Sequence, residues 1–265
     1  MKMLQASMHK ILVVVPTYNC RDQILKVLTD IKKYAIPDNV TIWIVDNLSQ
    51  DGTFESAKKF IHESNLTRIY AYQSVENNNL GGTHKIGFNE AINNGYEFVA
   101  IFHGDNQANY LDLIAILKSE ELSASKGSIL GARFAKGSKL RGYSKMRILG
   151  NLVLNCIYSM FTFHKLLDLG SGLNVYRVKD LQRIDFHGFS DSLTFNYELI
   201  LAIVELGLPF KYVPISWSND DQVSNARNLE IFFKGVRILI GRKMLKSNKS
   251  PRNNKIYEVK FTTNE

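Results

Sequence analysis

A single carboxylate, Asp105, stands in the stretch FHGDNQANY (residues 102–110), with His103 and Gly104 before it and Asn106 and Gln107 after it. The stretch follows YEFVAI, an apolar run that reads as a buried strand. An acid at such a strand end could ligate a divalent cation. It could equally cap the helix that begins in DNQANYLDLI, a task Asn109 could also perform. His103 has the same two readings, a satisfied strand-end histidine or a site residue. Two further polar clusters close apolar runs: PTYN (residues 16–19) after KILVVV, and Asp46-Asn47 after VTIWIV. The remaining histidines, His9, His62, His84, His164 and His187, read as surface or core residues.

These clusters need a scaffold that brings strand ends together. KILVVV, VTIWIVD, TRIYAYQ and YEFVAIF read as strands. Between them lie RDQILKVLTDIKKY, with apolar residues at helical spacing (Ile24, Leu25, Leu28, Ile31), and DGTFESAKKFIHES, a helix starting near Asp51. A third helix, in GGTHKIGFNEAINNGY, reads as entered through its glycines with Thr83 as N-cap. Strands alternating with helices predict an α/β fold with a mainly parallel central sheet, helices on both faces and a Rossmann-like front half. Ligands in such sheets sit beyond the carboxyl ends of the strands, where all three polar clusters fall.

The back half is less regular. GSILGARF and SGLNVYRV read as strands, residues 136–145 as a basic loop, and residues 148–163 as an apolar helix. TFNYELILAIVELG reads as a helix closed by Gly207, PFKYVPISW as the last strand, and residues 227–246 as a basic amphipathic helix. The whole reads as one domain over residues 1–246, divided near 107 and 226, with a polar, loose tail at 247–265.

The 265 residues are 45% hydrophobic and 22% charged, an ordinary globular composition. A net charge of +8 and a pI near 9.3 favour an anionic partner. Tyrosines and phenylalanines are plentiful but not arranged as base-stacking platforms, which argues against nucleic acid. Two distant cysteines, Cys20 and Cys156, form no metal or disulfide framework, so a cytoplasmic protein is expected. No signal peptide or membrane span is read: residues 148–163 would rise only ~24 Å as a helix, against a ~30 Å hydrocarbon core. An amide-interrupted apolar helix beside a basic loop suits peripheral contact with an anionic membrane, on its cytoplasmic face.

Taken in order, VVVPTYN, VDNLSQDGT, NNNLGGTHKIGFNEAINNG and FHGDNQ resemble the family 2 glycosyltransferases of the GT-A fold. GARFAKG, Arg147, DLGSGLNVYR and ELGLPFKYVPISW resemble its branch of polyprenyl-phosphate sugar synthases, the dolichol-phosphate mannose synthase type. The resemblance covers roughly residues 9–217 and implies a nucleoside-diphosphate sugar donor, Mg²⁺ or Mn²⁺, and an inverting transfer. It places Asp105, Gln107 and His103 at the metal, with His103 where family members carry a first aspartate. Pro16, Tyr18 and Asp46 would hold the nucleobase and ribose, with Asn47 and Asp51 nearby. Arg133 and Arg147 match arginines that face the donor pyrophosphate and the acceptor phosphate, a task suited to guanidinium forks. Asp168 opens the D-L-x-S-G segment, and Glu198 matches an acidic helix position. The branch has an arginine and a Ser-Lys pair after VPISW; here SNDDQVSNAR puts Asp220 in that place, with Ser224 and Arg227 as echoes.

Two acceptor classes follow. A polyprenyl phosphate is an anion at neutral pH and needs cations rather than a base. A saccharide hydroxyl, as in cell-surface polysaccharide synthesis, needs a general base, for which Asp168, Asp191 and Glu198 are candidates. A non-catalytic nucleotide-sugar-binding relative is the third reading. A nucleotidyltransferase fits less well, because VPTYNCRDQ is not the glycine-rich basic loop such enzymes carry.

Overall fold

A computed structural model describes residues 9–219, 228–244, 257 and 259–261. The front half alternates as the sequence predicts: β1 (Ile11–Thr17), α1 (Arg21–Tyr34), β2 (Val40–Asp46), α2 (Thr53–Glu63), β3 (Ile69–Ser74), α3 (Asn79–Asn93) and β4 (Phe98–Phe102). The chain continues through α4 (Tyr110–Leu117), α5 (Glu120–Ser123), β5 (Ser128–Ala132), β6 (Leu140–Arg141) and α6 (Lys145–Thr162). It then forms β7 (Leu173–Arg177), α7 (Val178–Leu181), α8 (Phe195–Glu205), β8 (Phe210–Pro214), β9 (Trp217–Ser218), α9 (Asn228–Met244) and β10 (Val259–Phe261).

Among the described residues, eight strands make one sheet in the order β10-β3-β2-β1-β4-β7-β5-β8. Pairing is parallel from β3 through β4 and between β5 and β8, while β7 and β10 run antiparallel to their neighbours. The α/β fold with a mainly parallel sheet is therefore as expected. Both faces of β1 are covered, which explains its unbroken apolar run. Ile11, Val13 and Val15 join the core beneath α1, α2 and α4; Leu12 and Val14 join the opposite core with α3, α6, α8 and α9. The strand order reverses between β2 and β4 on either side of β1. That reversal opens a crevice at the carboxyl ends.

Four local expectations change. Thr83 is not a cap: α3 begins four residues earlier, and the Thr83 hydroxyl donates to Asn79 O (3.0 Å) inside the helix. The early glycines are kept for close packing, which outweighs their low helix propensity. A Cβ on Gly81 would lie 2.6 Å from Ser190 O, and one on Gly87 2.5 Å from Val14 Cγ2. PFKYVPISW splits into β8 and β9 after Pro214, which has no N–H to continue a ladder. The basic loop at 136–145 holds β6, which pairs with β9. Within the stretch read as a tail, β10 pairs with β3 in the register Val259↔Ser74 to Phe261↔Tyr72. Asp220, Ser224 and Arg227 lie outside the described residues. Among the described residues no helix is long and apolar enough to cross a membrane.

Candidate functional site

The crevice at the end of β1 and β4 opens into a cavity of about 590 Å³, within the range of small-ligand sites. Its walls include Pro16, Tyr18, Asn47, His103 and Asp105, residues from all three strand-end clusters.

Backbone contacts hold these strand ends at close quarters. Gly104 N donates to Pro16 O (3.0 Å) and Asn47 N to Thr17 O (2.9 Å). A Cβ on Gly104 would fall 2.4 Å from Thr17 Cγ2, so only glycine lets the two loops touch. Asn109, not Asp105, caps α4, by accepting from Leu111 N (2.9 Å). Asp105 is thereby released from capping and accepts Gln107 N (3.1 Å) within its own turn. Burial lifts its carboxyl above the usual carboxylate range, against the pull of His103 and of that N–H.

His103 sits beside it. Its backbone N–H donates to Gly172 O (3.1 Å), and a Cβ on Gly172 would lie 2.6 Å from the ring Nδ1. Its Nε2 is buried with no hydrogen-bond partner among the described residues. Burial lowers its pKa below the usual imidazole value; Asp105 opposes the shift and Arg133 adds to it. Behind it, 5.9 Å between centroids, lies the fully buried His84, packed edge-on to Phe195 at 5.3 Å. Burial first, and His103 second, hold His84 well below the imidazole range.

The cluster around β2 splits into wall and support. Asn47 lines the cavity, donates to Asn77 Oδ1 (2.8 Å) and accepts Asn78 N (2.7 Å). Asp46, expected at the nucleobase or ribose, is fully buried behind the wall. Its carboxylate accepts from Ser49 N (2.9 Å), the Ser49 hydroxyl and Gln73 Nε2 (3.2 Å). Asp51 ties two helix starts together, accepting Arg21 N (3.1 Å) of α1 and Thr53 N (3.0 Å) of α2. Burial raises its pKa, but the Thr53 and Arg21 hydrogen bonds outweigh that and hold it below the carboxylate range.

The expected back-half residues are not on the cavity wall. Arg133 and Asp168 instead form a buried bidentate pair, with Nε–Oδ2 and Nη2–Oδ1 both at 2.7 Å. Arg133 N and Gly170 N add further donors to Asp168 (2.9 and 3.0 Å), which leaves that acid ill placed to be a general base. Burial disfavours the Arg133 charge, and Asp168 more than restores it. Tyr143 bridges the two expected arginines, its hydroxyl accepting from Arg133 Nη1 (3.1 Å) and its ring lying 4.5 Å beneath Arg147. Asp191 accepts from Lys85 Nζ and Tyr257 OH, both at 2.7 Å, and Glu198 accepts Ser190 N (2.8 Å). Gln107 turns away from Asp105 and donates to Asn219 Oδ1.

Sequence reasoning missed several wall residues: Asn77, Asn79, the 192–194 loop, and Glu230 and Lys234 of α9. Lys234 pairs with Glu230 at 2.7 Å. The periodicity of α9 marked it as amphipathic but could not say which surface it would meet.

Whether the wall can hold a divalent cation is a question of donors. Among the described residues no group of three or more His, Cys, Asp or Glu converges as a self-sufficient metal cage. One carboxylate with one unpartnered imidazole nitrogen is instead an incomplete donor set. It fits a Mg²⁺- or Mn²⁺-type ion whose remaining ligands come from substrate phosphates and water.

Residues 12–184 match the sequence profile of glycosyl transferase family 2. Uncharacterized protein MJ1222 of Methanocaldococcus jannaschii is 27% identical over 206 residues, covering 78% of this chain and 80% of that protein. A mannosyltransferase from Pyrobaculum calidifontis, solved with GDP-Man and Mn²⁺, superposes with a TM-score of 0.59 at 18% identity. That match covers 92% of this chain and 66% of the mannosyltransferase, so the chain spans just under two thirds of its length. Glucosyl-3-phosphoglycerate synthase from Mycobacterium tuberculosis, solved with Mn²⁺, UDP-Glc and glycerol 3-phosphate, superposes at 0.57 with 15% identity, over 88% of this chain and 80% of the synthase. The fold is of the GT-A type those structures share, and the chain, matched over most of its length, belongs to glycosyl transferase family 2.

Proposed function

We propose that this protein is an inverting glycosyltransferase that passes a sugar from a nucleoside-diphosphate sugar to a polyprenyl phosphate. The observation that carries the reading is Asp105, a carboxylate on the wall of a 590 Å³ cavity at the sheet's switch point, beside an imidazole nitrogen with no partner among the described residues. A bare carboxylate facing a diphosphate is repulsive; with a cation between them it becomes a ligand. The neighbours solved with Mn²⁺ and nucleotide sugars support the same donor and ion here.

Each residue then has a task. Pro16, Tyr18 and Asn47 receive the nucleoside end, and Asp46 and Asp51 hold the loops that carry them. Asp105 and His103 would hold the divalent cation. When bound, that ion neutralises charge developing on the leaving diphosphate. On the α9 side of the cavity Lys234 stands paired with Glu230, so that wall carries both charges. In the transfer an acceptor oxygen forms a bond to the anomeric carbon as the bond to the diphosphate breaks, and the nucleoside diphosphate leaves.

None of Asp168, Asp191 and Glu198 lines the cavity, and Arg133 takes both oxygens of Asp168, so no proposed general base for a hydroxyl acceptor stands on the wall. A phosphate acceptor needs none, because its nucleophilic oxygen carries no proton at neutral pH. This favours the lipid phosphate over the saccharide hydroxyl. The test offers a panel of labelled nucleoside-diphosphate sugars, with Mn²⁺ or with EDTA, and a crude lipid extract. Cation-dependent passage of label into the organic phase is expected. Label in water-soluble saccharide would assign the hydroxyl acceptor. Absence of both transfer and thermal protection by any donor would overturn the reading.

A further inference from the structure

Helix α6 is amphipathic in the wrong sense for a helix on a globular surface. Leu154, Asn155 and Tyr158 face the interior. The outward side carries Met146, Leu149, Leu152, Val153 and Met160, of which Met146, Leu149 and Met160 are more than 60% exposed (82, 63 and 67%). Residues 148–163 contain no charged side chain. At 100° per residue the exposed apolar positions form a single stripe roughly opposite the buried one. A solvated helix face is ordinarily charged, and an apolar stripe this long marks an interaction surface.

The C-terminal end of the helix adds a second sign. Phe163 takes the left-handed backbone region (φ 57°) and is 94% exposed. Glycine is the ordinary residue there, and an aromatic in that conformation gains nothing from the fold itself. The charge pattern supplies a third. Between Leu122 and Leu167 the chain has eight Lys and Arg and no Asp or Glu. Of these, Lys136, Lys139 and Arg141 are exposed just before α6, Lys145 at its first position and Lys165 just after it. An uncharged apolar stripe with cations at both ends matches the interior-and-headgroup layering of an anionic bilayer surface.

We propose that the outward face of α6 is a docking surface for an anionic lipid membrane, with Met146, Leu149, Val153, Met160 and Phe163 entering the interface and the flanking lysines meeting headgroups. The helix is too short and insufficiently apolar to span, so it lies in the plane of the surface. It packs against α9, where Tyr158 OH donates to Gly235 O (2.7 Å), and α9 supplies Glu230 and Lys234 to the cavity wall. Docking here therefore puts the bilayer one helix away from the cavity. The inference stands on this surface alone and does not require the lipid-phosphate acceptor.

The test is co-sedimentation of the full chain with vesicles of phosphatidylcholine alone and of an equimolar mixture with phosphatidylglycerol. Binding to the anionic vesicles, weakened by salt, is expected, with little binding to neutral ones. The exposed double variant Leu149→Glu/Met160→Glu should lose about tenfold in binding, as two apolar side chains are withheld from the interface. Phe163→Gly should weaken vesicle binding while raising Tm, a pair of effects that a folding role for Phe163 cannot give. Thermal protection by nucleotide sugars should be unchanged in both variants, so loss of docking and loss of donor binding are read separately. Equal binding of wild type and double variant, or no binding to anionic vesicles, overturns the proposal. So does a wild-type dimer in sedimentation velocity that the double variant abolishes, which assigns the face to a second copy of the chain.

Discussion

The carboxyl ends of β1 and β4 and the loops after β5 and before β7 are each rich in polar groups, yet they treat them oppositely. At the first, Asp105 and His103 stand on a cavity wall, and His103 Nε2 has no partner among the described residues. At the second, Arg133 and Asp168 satisfy one another through two 2.7 Å contacts, under the rings of Tyr143 and Trp217. Burying a polar atom without a partner is costly, and on a cavity wall a bound ligand can supply the missing contact. A buried pair that is already complete holds shape. The contrast separates residues that meet substrate from residues that fix loops.

Substitution at each region tests that division. The largest effect is expected for Asp105→Asn, which should lower transfer about 10²–10³-fold, as loss of a charge-stabilising group does. Its urea midpoint should stay close to wild type, because Asn keeps an oxygen for Gln107 N. Unimpaired transfer would remove Asp105 from the site. Next, Arg133→Met strands Asp168 in the interior and should cost about 3–5 kcal/mol in urea unfolding, with Asp168→Leu recovering most of that loss in the double variant. If Arg133→Met instead spared stability and abolished only acceptor use, the two regions would not differ as described. The smallest effect is expected for Asp51→Ala, about 0.5 kcal/mol for a solvent-screened cap. Its folded pKa lies below the unfolded one, so its contribution is full above about pH 4 and disappears as pH falls through the folded value. The wild-type and variant stabilities should therefore converge in acid.

Sequence reading reached the first region better than the second. Apolar runs ending in PTYN, DN and HGDNQ state both the strand and where it stops, and a parallel sheet gathers such ends by rule. Arg133 and Asp168 are 35 residues apart, and Lys85 and Asp191 are 106 apart. No local pattern announces that they meet, so Arg133, Asp168 and Asp191 each read as a site group on its own, and Lys85 gives no sign of its partner. The start of α3 was misplaced for a related reason. Gly81 and Gly82 look like an entrance to a helix until the backbone of Ser190 and Asp191 is seen to need the space beside the first, and Asn78 and Tyr257 the space beside the second. Lys234 was invisible as a wall residue because periodicity defines a helix face and not its neighbour.

The pairing of β10 with β3 has a bearing on how the protein is made. An open strand edge invites pairing with other chains, and β3 would be such an edge without β10. Its cover lies about 185 residues downstream, at Val259–Phe261. During synthesis the nascent front half, whose other strands can already associate, therefore presents a bare β3 until residue 261 has emerged. That interval is when aggregation between neighbouring nascent chains has its opening, and holdase chaperones have their substrate.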